Sequence, residues 1–464
     1  MYDFCIIGGG VIGCAVAREL SRYKATVVLV EAESDVCART SGANSGIIHA
    51  GYDAPDGSLM SQYNILGAKM FRAYAKVLDV PYKNTGSLVV SLSSDEDKQI
   101  SALYERGLRL GVAMSILPRG RVLTLEPNLT DRVRSALYAS DAAIINPFEL
   151  VFALKENAAQ NGVDFKFNFE VKKIKREAGG VTLTSGEEAV SAKTVINCAG
   201  NAGGKIARMF GDPIYLSHRA GEYMYFDKTP FVSRPVFRVP GKKGKGVLVC
   251  PTTSGNFFIG PTSVDMQTPS TAVRRQAFAE LKEAAAQSVN NIPWGSMITS
   301  CSGVRAMSKT GDFIIGKSAS CEFLYNIIGI CSPGLSAAPA IAVKVAGGFG
   351  LKRRDDFVPS RRAIRKIEDA DKCEKIGLIE SDKAYGNIVC RCETVSEAEV
   401  VEAIRRGAVT VDGVKRRLRV GMGRCQGGFC LPQILKILAR ELGLREEEVL
   451  KNSAGSEILI GEDL

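Results

Sequence analysis

Apolar residues open the chain as one short block, Phe4-Cys5-Ile6-Ile7, which stops at Gly8-Gly9-Gly10. A block of this length bounded by glycine reads as a buried strand, because too few residues precede the glycines for a helix. The spacing then turns helical from residue 14 to 23, with Ala15, Val16, Ala17 and Leu20 available to an inner face. Residues 25–30 form a second apolar strand that ends on Glu31. Far downstream, residues 194–199 run into Gly200, and a strand at 324–328 leads through Gly329 and Gly334 into a helix over 337–347. Repeated strand–glycine–helix units predict a parallel, Rossmann-like sheet assembled from separated parts of the chain.

The pattern changes between residues 212 and 262. Short alternating strands at 222–226, 236–239, 246–250 and 257–259 follow one another without helices, which predicts an antiparallel sheet and a separate substrate domain. Helical periodicity marks 61–77, 94–110, 147–161 and 272–289, whereas 112–145 reads as irregular apart from a strand near 136–139. The expected nucleotide domain comprises residues 1–80, 146–211 and 301–351, and the substrate domain 81–145 and 212–300. Residues 352–385, charged and containing Pro359, read as a linker to a module at 386–450 and a tail at 451–464.

Gly8-Gly9-Gly10-Val11-Ile12-Gly13 supplies G-x-G-x-x-G at the end of the first strand. Gly8 permits the tight turn, Gly10 lets backbone approach a pyrophosphate, and Gly13 lets the helix sit close to the strand. Glu31 is placed to accept hydrogen bonds from a ribose diol, and an acid there argues against a 2′-phosphate. The stretch 41–51, small and polar and then apolar, reads as a loop that admits something close to its backbone. In the module, Cys390 and Cys392 form C-x-C, and Cys425 and Cys430 form C-x4-C after a gap of 32 residues. Four such thiolates suit zinc or a [2Fe–2S] cluster. Ser396 and Glu399 form a capping box, and Pro432 opens a last helix.

Composition narrows the setting. The 464 residues allow two or three domains, and 45% hydrophobic with 24% charged residues is ordinary for a globular protein. Net charge is +10, with basic runs at Lys242-Lys243, 361–366 and 415–419; the last could steer an acidic partner. No aromatic residues interleave with these runs, so nucleic acid is not an expected ligand. No secretory leader is visible, and Pro333, Gly334, Pro339 and Lys344 break the most apolar stretch too often for a membrane span. Membrane contact is expected to be peripheral at most, through a partner. Thirteen scattered cysteines fit a reduced, cytoplasmic setting better than a disulfide framework.

Residues 8–13 with Glu31, and the segments 41–51, 196–200, 303–305 with 312–316, and 329–336, resemble in order the glycine-oxidase and D-amino-acid-oxidase superfamily of FAD enzymes. The resemblance spans nearly all of residues 1–350. Within the superfamily it is most similar to the anaerobic glycerol-3-phosphate dehydrogenase large-subunit group, then to L-2-hydroxyglutarate oxidases. It implies FAD contacts at Gly8, Gly10, Gly13, Glu31, Ser41, Asn44, Ser45, Gly46, Ala199, Gly200, Asp312, Gly334, Leu335 and Ser336. The fold class expected is α/β: a discontinuous Rossmann-like FAD domain, an antiparallel-sheet substrate domain and a small helical iron–sulfur module.

The implied activity is oxidation of a small anionic alcohol by hydride transfer to flavin, with glycerol 3-phosphate first and a 2-hydroxy acid or amino acid as alternatives. A non-catalytic electron-transfer subunit is the reading from another class. Arg305 resembles the superfamily's substrate-anchoring arginine, and His49 is either a proton acceptor near the ring or a core histidine. Tyr223 is a further catalytic candidate; His218, Tyr52 and Lys309 are weaker ones. The chain departs from the glycerol-3-phosphate group at Tyr52-Asp53-Ala54, where that group usually carries an arginine. The module resembles bacterioferritin-associated ferredoxins, although these commonly have a closer second cysteine pair. Fusion to a flavin domain favours [2Fe–2S] over structural zinc, and implies electron exit to a second redox subunit.

Overall fold

The computed structural model describes residues 1–241 and 246–460. At its centre β1 (Tyr2–Ile7) lies between two parallel neighbours, with Phe4 opposite Val27 and Ile6 opposite Ile196. One neighbour is β2 (Val27–Val30); the other is the strand Glu188–Asn197. Asp164–Lys166 extends the sheet beyond β2, and Leu324–Ile328 pairs in parallel with Glu188–Asn197. Five parallel strands thus come from three separated parts of the sequence, as the strand–glycine–helix units predict. The helices Val11–Leu20, Leu59–Val77, Pro147–Gln160 and Gly334–Gly347 share one core with a face of this sheet. Asn146 caps the third of these by accepting from the Phe148 and Glu149 N–H groups. Phe169, Leu183, Ile206 and Phe210 cover the opposite face.

Among the described residues the second sheet has nine strands, mostly antiparallel, with one parallel join between Val236–Arg238 and Ser87–Ser91. Its long members, Ser217–Phe226 and Met297–Met307, run antiparallel along nearly their whole length. Met297–Met307 therefore crosses the expected boundary at 300/301 before the chain returns to the first sheet at Ile314–Lys317. Residues 112–145 are regular, not irregular: Met114–Pro118, Arg119–Leu125, Ser135–Ala139 and Ala143–Ile145. Met114–Pro118 lies at the sheet edge and is half exposed, so its alternation of apolar and polar positions is weak.

Residues 352–385 do not form an extended tether. Buried Asn161 accepts from the Val358 N–H (2.8 Å), and buried Asn157 donates to the carbonyls of Val358 (3.0 Å) and Ser360 (3.1 Å). Arg18 donates to the Pro359 carbonyl at 3.0 Å. The helix Lys372–Ser381 follows, with a capping box between Asp371 and Glu374. These anchors are side chain-to-backbone bonds, which leave no hydrophobic period to read.

The module packs the helices Glu397–Arg405, Val411–Leu418 and Leu431–Leu442 around Val400, Val414, Ile434 and Leu438. The basic run at 415–419 is not a steering surface. Arg416 and Arg417 are buried, Arg417 pairs with Asp35, and Arg419 bonds to Glu393 and Asn256. The run at 361–366 is largely spent on ion pairs, Arg361 with Glu156, Arg365 with Glu374 and Lys366 with Glu149. Lys242-Lys243 lies outside the described residues. Among the described residues, no helix is long and apolar enough to cross a membrane.

Candidate active site and cysteine cluster

A cavity of about 1550 Å³ runs from the glycine turn after β1 to the sheet that carries Arg305. The turn is closed to side chains on its inner side. Gly8 has φ +109°, and a Cβ there would lie 2.5 Å from the Cys198 carbonyl oxygen; one at Gly13 would lie 1.9 Å from the Gly8 oxygen. At Gly10 a Cβ would meet only the Ser41 hydroxyl, at 3.1 Å, so this position alone faces open space. Backbone at Gly10 and the helix that starts at Val11 can therefore approach an anion such as a pyrophosphate. Glu31 lines the same end and accepts from the N–H groups of Gly9 (2.5 Å) and Glu33 (2.9 Å). Burial pushes its carboxyl up, while those two donors work against the shift.

The loop after residue 40 is shaped by Asn44, which donates to the Ser41 carbonyl and accepts from the Gly46 N–H (2.8 Å). Ile47–Ile48 then pairs with Ala143–Ile145. Ser336, near the start of the helix Gly334–Gly347, accepts from the His49 N–H at 2.8 Å and donates to the Ile47 carbonyl at 3.4 Å. This fixes the half-buried His49 on the cavity wall, its ring 6.0 Å from that of Phe237.

Arg305 enters the other end from Met297–Met307. Gly221 on the neighbouring strand makes room for it: a Cβ there would lie 2.6 Å from Arg305 Nη2. That nitrogen donates to the Thr262 carbonyl at 3.0 Å, and among the described residues Arg305 makes no ion pair. Arg219 lies directly across in register, lines the cavity and bonds to Asp265 at 2.6 Å. Like charges directly opposite across a sheet are unfavourable, and the Asp265 carboxylate offsets the charge of Arg219. Tyr223 also lines the cavity, and burial pushes its phenol up to about 12, so it is a neutral group and not a base. His218 bonds through Nδ1 to Asn201 (3.0 Å), which also donates to the Val304 carbonyl.

The cavity wall thus brings together Gly8, Gly10, Glu31, Ser41, Asn44, Ser45, Ala199, Gly200, Gly334 and Leu335 with His49, Tyr223 and Arg305. Gly13, Gly46 and Ser336 stand behind it and shape it. Asp312 does not reach it: its carboxylate caps a helix, accepting from the Leu59 and Met60 N–H groups at 2.9 Å each. Tyr52 is buried in a small adjoining pocket, and Lys309 is exposed away from the cavity. Sequence reasoning gave Gly221 no role of its own, and missed Asn201, Thr262 and residues 169–171. Only the last had a readable signal, as the sequel to a strand pairing beside β2.

In the module the thiols meet as pairs. Cys390 and Cys430 are buried together; the Cys430 thiol and the Gly421 and Glu393 N–H groups outweigh burial and lower Cys390 to about 6, while Cys430 moves up. Cys392 is exposed, and its thiol lies 3.7 Å from that of half-buried Cys425. Among the described residues, no three metal-type side chains close on one ion-sized point. Four thiols meeting as two pairs lined with N–H donors would suit a binuclear iron–sulfur cluster better than one tetrahedral zinc. The loop beside Cys392 is tied to the cavity sheet. Arg419 bonds to Glu393 (3.0 Å) and Asn256 (2.7 Å), and Asn256 donates to Phe226 at the end of the strand that carries Tyr223.

Comparison with known proteins agrees with this geometry. Residues 3–347 match the family described as FAD dependent oxidoreductase, and residues 388–440 match the BFD-like [2Fe-2S] binding domain. The chain is 43% identical to the glycerol 3-phosphate dehydrogenase of Caloramator mitchellensis, over 99% of this chain and 98% of that protein. It is similar in structure to the dithionite-reduced L-α-glycerophosphate oxidase of Mycoplasma pneumoniae with FAD bound. The TM-score is 0.74 at 31% identity, covering 78% of this chain and 98% of that one. Glycine oxidase from Geobacillus kaustophilus shares the fold, with a TM-score of 0.70 at 23% identity, over 76% of this chain and 96% of that one. The chain belongs to the FAD-dependent oxidoreductases and carries a BFD-like [2Fe-2S] binding domain on its C-terminal side.

Proposed function

We propose that the protein is a glycerol-3-phosphate dehydrogenase that oxidises the secondary alcohol to the ketone and sends the electrons out through its cysteine module. FAD supplies the two-electron acceptor for hydride, and the [2Fe–2S] cluster a one-electron exit. The residues above, from Gly8 to Leu335, hold the FAD; Cys390, Cys392, Cys425 and Cys430 hold the cluster. Arg305 binds the phosphate in a charge-assisted, two-pronged contact, with Arg219 opposite as a second cation. Arg219 takes the place of the arginine that Tyr52-Asp53-Ala54 lacks. His49 accepts the hydroxyl proton as the carbon-bound hydrogen leaves, its position fixed by Ser336. Tyr223, neutral at physiological pH, donates a hydrogen bond to the substrate. The nine cysteines outside the cluster, none of them disulfide-bonded among the described residues, support work in a reduced cytoplasm, and a second redox protein receives the electrons.

The observation that carries this reading is Arg305, held over Gly221, making no ion pair among the described residues and facing the same cavity as His49. Anaerobic addition of glycerol 3-phosphate, L-2-hydroxyglutarate and glycine to separate samples tests it. Bleaching of the flavin bands by glycerol 3-phosphate at the lowest concentration supports it; a preference for either other compound overturns the substrate.

A further inference from the structure

The cluster cysteines have one open edge. Cys390 and Cys430 are buried, whereas Cys392 is exposed and Cys425 half-buried. Beside that edge Phe429 is 83% exposed, and among the described residues it makes no ring contact. Its place is what matters, since it follows Cys425 and precedes Cys430 and so sets an apolar contact point at the one open edge of the cysteine pairs.

Its surroundings carry positive charge. Arg391, next to Cys392, is exposed, as is Lys436, two helical turns beyond Phe429 on the face that also exposes Pro432 and Gln433. Neither cation makes an ion pair among the described residues. Arg424, next to Cys425, has a side chain 80% exposed although it touches Asp227. The acids nearby are already engaged, Glu393 by Arg419 and Lys228, and Glu397 by Arg440. An apolar knob with a basic rim at the open edge of a redox site is a docking face.

We infer that this face binds an acidic, one-electron carrier protein. The inference rests on the dehydrogenase reading and adds the partner's chemistry and place. Alcohol oxidation delivers two electrons, and a [2Fe–2S] centre held by the four cysteines would supply one-electron transfer. Each substrate turnover therefore reduces two oxidised carriers by one electron each, in two successive encounters. Such contacts must form and part quickly, which charge steering with a small apolar centre permits.

The test uses the full-length holoprotein and oxidised rubredoxin, an acidic one-electron iron protein, as the probe. Binding is measured by titration at low and high salt for the wild type, Phe429→Ala and the double variant Arg391→Glu/Lys436→Glu. Iron content and flavin bleaching by substrate serve as controls. The expected result is salt-sensitive binding, weakened about tenfold or more by either change, with both controls unaltered. No binding of rubredoxin, or equal binding by all three proteins, overturns the inference. Self-association that Phe429→Ala abolishes would assign the face to a second copy and overturn it too. Intact binding with no bleaching by glycerol 3-phosphate would instead remove the substrate reading and leave the docking face standing.

Discussion

Arg417 of the cysteine module donates to both carboxylate oxygens of Asp35, four residues beyond Glu31, with Nη2 3.1 Å from Oδ1. The two side chains are 3% and 2% exposed, and the guanidinium lies 4.0 Å from the centre of the Phe152 ring. A buried pair that loses one partner leaves a charge stranded, at a cost of about 3–5 kcal/mol. Asp35→Asn or Arg417→Met should each lower stability by that order in denaturant titrations. The double change Asp35→Leu/Arg417→Met should recover more than half. If the single variants unfold like the wild type, the module is not fastened through this pair.

Gly10→Val should yield protein that purifies without flavin. The added side chain would project into the open space that the pyrophosphate needs, while the turn itself, governed by Gly8 and Gly13, stays intact. The checks are the visible spectrum and circular dichroism. A yellow, folded Gly10→Val protein would contradict the assignment.

The substrate end can be tested from two sides. Arg305→Ala should cut kcat/KM roughly ten- to a hundredfold, equivalent to about 1.5–3 kcal/mol, with normal flavin content. Gly221→Ala should act on the same step indirectly, because its methyl would displace the Arg305 guanidinium. It should raise KM more than it lowers kcat. Unchanged kinetics in both would make Arg305 a structural residue.

Glu222, buried beneath the cavity sheet, gives a pH-dependent signature. Burial raises its carboxyl, but hydrogen bonds from Arg274 and Thr262 outweigh burial and hold it below the ordinary range. The folded state therefore binds this proton less tightly than the unfolded chain. Its stabilisation is complete above about pH 4.5 and is lost as pH falls through the lower native value. Glu222→Gln should lose about 1–3 kcal/mol at pH 7 and show a shallower fall in stability below pH 4.5. Parallel acid-unfolding curves for variant and wild type would rule this out.

The parallel sheet and the glycine turn were legible because Phe4-Cys5-Ile6-Ile7, the glycines and Glu31 combine local pattern with local chemistry. The four cysteines were legible for the same reason. The seating of the module was not. Its fasteners, Arg417 to Asp35, Arg406 to Glu156 and Arg419 to Asn256, join residues more than 160 positions apart and give neither element a period. A basic run read as a solvated or steering face was therefore mostly interior. Asp312 failed in the opposite way: a conspicuous acid in the expected segment was spent on a helix N-terminus. Gly221 carries no sequence signal, since its role exists only once Arg305 lies across the strand.

The function we propose joins alcohol oxidation to single-electron exit in one chain. Electron paramagnetic resonance after anaerobic addition of glycerol 3-phosphate tests it most directly, comparing the wild type with Cys392→Ser. The expected wild-type result is flavin bleaching together with the signal of a reduced [2Fe–2S] centre, on protein holding about two irons per chain. Cys392→Ser should keep its flavin and its bleaching, because the module's fasteners do not involve the thiols, yet lose the cluster signal. Zinc in place of iron, or bleaching in the wild type with no cluster signal, would contradict the account.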